Sequence, residues 1–164
     1  NSISLALRGM VIGVGVGQQN RVDCVKLAGR KSRFFRLKAH PQVLDLYDKF
    51  VEGVKRQDKV NAILKYVQND FSDVELDAWR KLFIDENIPL LNENEIQTYL
   101  EEETDLCLSS DAFFPFRDNI DTANKFQVKY ILQPGGSIQD NSVTEACNEY
   151  GMVMSMSGKR MFLH

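Results

Sequence analysis

Ser109-Ser110-Asp111-Ala112-Phe113-Phe114-Pro115-Phe116-Arg117-Asp118-Asn119-Ile120-Asp121 joins a strand-like stretch to a helix-like one, and that junction decides the fold. Strand propensity ends near Leu108. A helix start is signalled at Asp118 as N-cap, with Asp121 three residues on as in a capping box. Between them the phenylalanines, Pro115 and Arg117 form a stiff aromatic connection. In an open α/β sheet, ligands bind beyond the carboxyl ends of the strands, which is where such a connection lies. A second reading of the same residues is a hydrophobic loop that plugs the core, with Asp118 serving only as a cap.

Downstream the alternation continues. A strand from Leu106 to Ser109, a helix from Asp118, a strand from Val128 to Leu132, a helix from Gln139 and a strand from Met152 to Met156 make two consecutive βαβ units. The second helix carries Val143, Ala146, Cys147 and Tyr150 at helical spacing, and Gly151 stops it. Such alternation demands a largely parallel sheet. Upstream, Ile3 to Leu7 and Met10 to Val16 predict a hairpin around Arg8-Gly9, followed by a helix from about Asn20 to Leu37. Residues 42 to 104 show no convincing strand. Val60, Ile63, Leu64 and Val67 mark one helical stripe there, and Asn92 with Glu95 caps a helix carrying Ile96, Tyr99 and Leu100. The expectation is an α/β fold, a three-layer α/β/α arrangement with a mostly parallel sheet, interrupted by an all-helical insert. Residues 1–41 and 105–164 form the α/β part and residues 42–104 the insert.

The 164 residues fit one domain with enough length to bury a core, and 43% hydrophobic with 26% charged residues is ordinary soluble composition. No apolar run approaches a membrane span and no signal-peptide pattern appears, so the cytosol is the expected location. A start at Asn1, already inside a strand, reads as a fragment or a processed chain. Cys24, Cys107 and Cys147 are far apart, form no Cys-x-x-Cys pair and sit among apolar neighbours, so buried reduced thiols are expected. A catalytic cysteine would want a nearby histidine, and with only His40 and His164 in the chain a cysteine nucleophile is not expected. Net charge is −3, but residues 20 to 65 hold twelve basic against five acidic side chains, and residues 66 to 121 hold three against fifteen. The basic half could attract phosphate or carboxylate ligands; solvated helix faces would give the same imbalance.

Gly13-x-Gly15-x-Gly17 follows a strand and precedes a helix but lacks the third glycine of the dinucleotide fingerprint. What it leaves is a glycine turn aimed at a helix N-terminus, where amides and dipole favour anions. Arg21 in the first turn stands against that dipole, as a ligand-binding residue can. Zinc deaminase chemistry needs His-x-Glu and Pro-Cys-x-x-Cys, and neither is present. Arg21, Lys26, Arg30, Lys31, Arg33, Arg36 and Lys38 interleaved with Phe34 and Phe35 allow an alternative, a non-catalytic anion- or nucleic-acid-binding module. A sequence pI of about 5.4 argues against general nucleic-acid binding.

Four motifs, in order, resemble the formyltransferase domain of the bifunctional purine-biosynthesis enzymes, the AICAR transformylase/IMP cyclohydrolase family. They are Gly13 to Arg21, Ser109 to Asn119, Gln133-Pro134-Gly135-Gly136-Ser137-Ile138-Gln139-Asp140, and the tail Gly158-Lys159-Arg160-Met161-Phe162-Leu163-His164. The resemblance implies a cytidine-deaminase-like fold and a homodimer with shared sites. It also implies transfer of a formyl group from 10-formyltetrahydrofolate to the 5-amino group of AICAR, without a catalytic metal. By motif, Asn1, Arg21, Phe113 and Arg160 look like AICAR contacts. Val22, Asp118, Ser137 and Ile138 look like folate contacts, with Phe162 walling the pocket. The tail differs from the family at Leu163. The family's acid/base pair is an adjacent Lys-His. Here Lys38-Ala39-His40 is the nearest approach, so no catalytic residue is expected in this chain, only binding residues.

Overall fold

In a computed structural model of the chain, residues 1–103 and 105–162 are described. Leu163 and His164, the end of the tail motif, lie outside the described residues. The chain divides into two compact units: Asn1–Arg33 with the residues from Glu101 onward, and Phe34–Leu100. Its strands are β1 (Ser2–Leu7), β2 (Met10–Val16), β3 (Cys107–Ser110), β4 (Tyr130–Gln133) and β5 (Val153–Met156). Its helices are α1 (Arg21–Leu37), α2 (Pro41–Asp45), α3 (Arg56–Gln68), α4 (Asp73–Arg80), α5 (Glu93–Glu101), α6 (Asp118–Asn124) and α7 (Asp140–Glu149).

The first unit is built on one sheet of order β2-β1-β3-β4-β5. β1 runs antiparallel to both β2 and β3, while β3, β4 and β5 are mutually parallel, so four strands share one direction. The hairpin turns at Arg8 and Gly9, both at positive φ (49° and 81°). That is the primed turn whose twist matches its strands. Register puts Ile3, Leu5, Leu108 and Ile131 on one face, where they are buried in a single core with Cys24, Val25 and Ala28 of α1, Ile120 and Ala123 of α6, and Val143, Ala146 and Cys147 of α7. The α/β architecture is the expected one: a mixed, mostly parallel sheet flanked by helices, consistent with a three-layer α/β/α fold. The opposite face carries Val14, Val16, Tyr130, Leu132 and Val153 exposed. Cys107 shares that face and is exposed, contrary to expectation, because alternation along β3 turns Leu108 inward and Cys107 outward. Cys24 and Cys147 are buried, and burial pushes the Cys147 thiol up to about 11.

Gly13 and Gly15 lie inside β2, not in a turn, which corrects the reading of a glycine-rich anion cradle. A Cβ on Gly13 would overlap the Ala28 carbonyl oxygen, and one on Gly15 the Cys24 carbonyl oxygen. The two glycines let the α1 backbone lie directly on the strand. Only Gly17, at φ 72°, serves the turn itself. Asn20 then caps α1, its Oδ1 accepting from the Asp23 N–H at 2.8 Å.

The second unit is helical. Its core gathers Tyr66, Trp79 and Phe83 with Leu46, Ile63, Leu91, Ile96 and Leu100. Trp79 stacks on Tyr66 at 5.4 Å and donates from Nε1 to the Ala62 carbonyl at 3.0 Å. The stripe of α3 is Ala62, Ile63, Tyr66 and Val67; Val60, expected on it, is exposed. Asn69 ends α3 in the left-handed region at φ 51°. Asn92 and Glu95 make the expected reciprocal cap of α5, at 3.0 and 2.9 Å. Ser72 and Glu75 do the same for α4.

His40 caps α2: its Nδ1 accepts from the Gln42 N–H at 3.2 Å, and its ring meets Tyr99 edge-on at 4.7 Å. Burial holds its pKa below the usual histidine value, a trend the Glu95 carboxylate opposes.

Two measurements follow from these contacts. Gly15→Ala should destabilise the protein by about 1–3 kcal/mol or more in a urea titration, because α1 must lift off β2; unchanged stability would remove the close contact from the account. For His40, the native state takes up a proton less readily than the unfolded chain. Its contribution is therefore complete above about pH 6.5 and is lost as pH falls through the depressed native value. Stability followed from about pH 7 to pH 5 should decline, and His40→Asn, which keeps a capping acceptor, should flatten that part of the decline.

Candidate anion-binding site

The site forms where β3 ends. Ser110 is the last residue of β3, and the Asp111 N–H donates to the Ser2 carbonyl at 3.2 Å, extending the β1–β3 pairing by one bond. Beyond it the aromatic connection is held from below. Phe114 is fully buried, and its N–H donates to the side-chain oxygen of buried Gln133 at 3.0 Å. Phe113 is left half-buried at the surface.

Arg21, the first residue of α1, reaches this strand end. Only 7% of it is exposed, which for an arginine requires partners. Its Nη1 donates to Ser110 Oγ at 2.9 Å and to the Asp111 carboxylate, and its Nη2 donates to Asn1 Oδ1 at 3.0 Å. Burial alone would raise the Asp111 pKa; hydrogen bonds from Arg21 and the Ser2 backbone outweigh it and hold the carboxyl below its usual value. The tail returns to the same point, the Met161 N–H donating to the Asp111 carbonyl at 2.8 Å. This sets the Phe162 ring between two cations, 5.9 Å from the Arg21 guanidinium and 5.6 Å from that of Arg160.

These elements enclose a cavity of about 290 Å³, lined by Asn1, Asn20 and Arg21, by Ala112, Phe113 and Pro115, and by Arg160 and Phe162. Among the described residues two guanidinium groups and no carboxylate line it, so the lining is net positive with an aromatic wall. That suits a planar anionic ligand. A second cavity of about 430 Å³ lies in the helical unit beside Trp79 and the Lys65–Glu75 ion pair.

All four residues expected to contact AICAR therefore line one cavity, and Phe162, expected to wall it, lines it with them. Val22, Asp118, Ser137 and Ile138 do not line it. Val22 is half-buried in α1. Ser137 Oγ accepts from the Gln139 N–H at 3.1 Å, in a loop where Gly135 and Gly136 have positive φ and Gly136 N–H donates to Asp140 Oδ2 at 2.7 Å. Ile138 on that loop is 100% exposed.

Asp118 is exposed and is the first residue of α6, not its N-cap. The N-cap is Arg117 with helical φ and ψ (−61°, −23°) and no side-chain cap bond, so the expected capping box is absent. A capping side chain needs the extended backbone that this helix entry lacks. Asp121 is engaged elsewhere, by Arg117 at 3.1 Å and the Tyr150 hydroxyl at 2.9 Å, and Arg117 also binds Glu149 at 2.8 Å. That network ties α6 to α7.

Sequence reading missed Asp111, Ser110 and Asn20. No local pattern marks Asp111, because its partner Arg21 lies 90 positions away in the chain. The run of basic residues along α1 does not form one open stripe. Arg21 and Arg36 are buried, Lys26 pairs with Asp23 at 2.9 Å, and Lys31 donates to the Val14 carbonyl at 2.8 Å. Among the described residues, no group of three or more His, Cys, Asp or Glu side chains could hold a metal ion, and no helix is long and apolar enough to cross a membrane.

The fold and cavity define an α/β protein with a nucleotide-sized, positively charged pocket at the carboxyl end of β3. Comparison with known proteins narrows the class. The model of the AICARFT/IMPCHase bienzyme family matches residues 1–31. The bifunctional purine biosynthesis protein PurH of Persephonella marina is 56% identical over 57 residues, which cover 35% of this chain and 11% of that protein. Both likenesses cover only part of this chain, and the family model takes in one of the four motifs, Gly13 to Arg21.

Arg21→Lys tests the geometry of the pocket without reference to any ligand. Lysine keeps the charge but lacks the planar fork that reaches Ser110, Asp111 and Asn1 together. A loss of about 1–3 kcal/mol in thermal or chemical unfolding is expected; wild-type stability would mean that the fork is not held as described.

Proposed function

We propose that this chain forms the AICAR-binding and part of the folate-binding surface of an AICAR formyltransferase. The observation that carries the reading is the convergence of Arg21, Phe113, Arg160 and Phe162, from three separate motifs, with Asn1 on one cavity. In the reaction the 5-amino group of AICAR attacks the formyl carbon of 10-formyltetrahydrofolate. The bond from that carbon to N10 then breaks, and N10 regains a proton as tetrahydrofolate leaves. The amine is a weak nucleophile, because its lone pair is delocalised toward the ring carboxamide. The reaction therefore depends on positioning, proton removal and stabilisation of the oxyanion.

Within this reading the two arginines hold the anionic nucleotide and Phe113 and Phe162 bound its base. Asp118, exposed and free of cap duty, accepts from the donor edge of the pterin, while Val22, Ser137 and Ile138 complete the folate side. Residues 42–104 form a helical insert in the α/β part. The sequence contains no Lys-His pair, so the proton-moving groups come from elsewhere in the parent protein and the isolated chain is inactive. The parent also carries IMP cyclohydrolase activity, is a cytosolic homodimer that completes each site between subunits, and acts in IMP biosynthesis. The alternative of a nucleic-acid-binding module loses support from the burial of Arg21 and Arg36.

Asp118→Asn in the full-length protein tests the assignment. Asparagine costs little stability at an exposed first-turn position, but it turns one acceptor oxygen into a donor facing a ligand edge that also donates. Folate-dependent turnover should fall by about ten- to hundredfold, the range for a charged hydrogen bond, with thermal stability and AICAR affinity retained. Normal folate kinetics would mean that Asp118 takes no part in the folate site.

A further inference from the structure

We propose that Asp111 is the positioning residue of the anion pocket, holding the Arg21 guanidinium with its carboxylate and the Arg160-bearing tail with its backbone carbonyl. The inference rests on the proposed AICAR site and adds to it a residue that touches no ligand.

Three segments far apart in sequence meet at this one residue. The Asp111 N–H ties it to Ser2 at the start of β1, its side chain takes Arg21 of α1, and its carbonyl accepts from Met161 N–H next to Arg160. Ser110 Oγ shares the same Nη1 at 2.9 Å and is itself oriented by donating to the Ala112 carbonyl at 2.6 Å. Asp111 is not among the residues lining the cavity, whereas Arg21 is. A guanidinium has five donors. With Nη1 committed to Ser110 and Asp111, the rotation of the fork is fixed and its remaining donors are directed by the protein. An unheld arginine would have to be ordered by the ligand, at the usual entropic cost of immobilising a long side chain.

The idea makes a prediction of unusual sign. By Coulomb's law alone, removing a carboxylate beside an anion site should tighten anion binding. If Asp111 positions Arg21, its loss should weaken binding instead. A purely structural role would move stability and leave affinity alone.

The test measures AICAR affinity by calorimetry in the full-length protein for the wild type, Asp111→Asn, Arg21→Ala and the double variant, with thermal unfolding in parallel. Asp111→Asn is expected to weaken binding about tenfold in protein that remains folded, and to change affinity less than about twofold once Arg21 is alanine. Unchanged or tighter binding in Asp111→Asn overturns the positioning role and leaves the AICAR assignment standing. The same tenfold loss in the Arg21→Ala background also overturns it, since Asp111 would then act by another route. A wild-type protein that does not bind AICAR defeats the functional reading, and this inference with it. Should Asp111→Asn fail to fold, Ser110→Ala decides the matter. It removes one bond to the same Nη1 while keeping the charge pair, and a roughly threefold loss is expected; unchanged affinity there overturns the proposal.

Discussion

The contact of α1 with β2 is the constraint on which the site depends. Helices ordinarily stand off a sheet by the thickness of their side chains, but Gly13 and Gly15 remove that spacing, and the Ala28 and Cys24 carbonyls lie where Cβ atoms would otherwise be. The close approach fixes the height and direction of α1 along its first turns. Arg21, at its start, is thereby brought to the end of β3, two strands away across the sheet. A helix displaced outward by one methyl group would carry its first residue out of reach of Ser110 and Asp111. The glycines thus shape the cavity without lining it.

Electrostatics then governs what the pocket can hold. A buried arginine is tolerable only with a carboxylate or several acceptors around it, and Asp111, Ser110 and Asn1 supply both. Arg160 differs in being exposed at the surface, with Phe162 against it. One cation is held by the fold and the other stands ready at the rim, so the pair combines a rigid donor with an adaptable one. Arg117, the third arginine near the aromatic connection, is taken up by Asp121 and Glu149 and serves to fasten α6 to α7.

Much of this was legible in the sequence. The hairpin, the βαβ alternation and the Asn92–Glu95 cap are local patterns of spacing, and local patterns survive folding. The misreadings share a different cause. Glycine spacing is the same whether the residue turns the chain or lies under a helix, so Gly13 and Gly15 read as a cradle. The Asp118–Asp121 spacing imitates a capping box, but the helix enters one residue earlier, which leaves Asp118 exposed and Asp121 bound to Arg117 and Tyr150. Cys107 was misplaced because apolar neighbours indicate a strand, not which side of it a residue faces. The role of Asp111 depends on a partner ninety positions away, which no local pattern encodes. The Ser72–Glu75 box, by contrast, is written as openly as the Asn92–Glu95 one.

The central claim is that the cavity at the end of β3 binds an anionic nucleotide through its two arginines. Arg160 is the better probe, because it is exposed and its loss leaves the core untouched. AICAR binding measured by calorimetry for wild type and Arg160→Ala, in the full-length protein, addresses it directly. The account predicts a loss of about 1.5–3 kcal/mol in binding free energy with unaltered thermal stability. Equal affinity in the two proteins would contradict it.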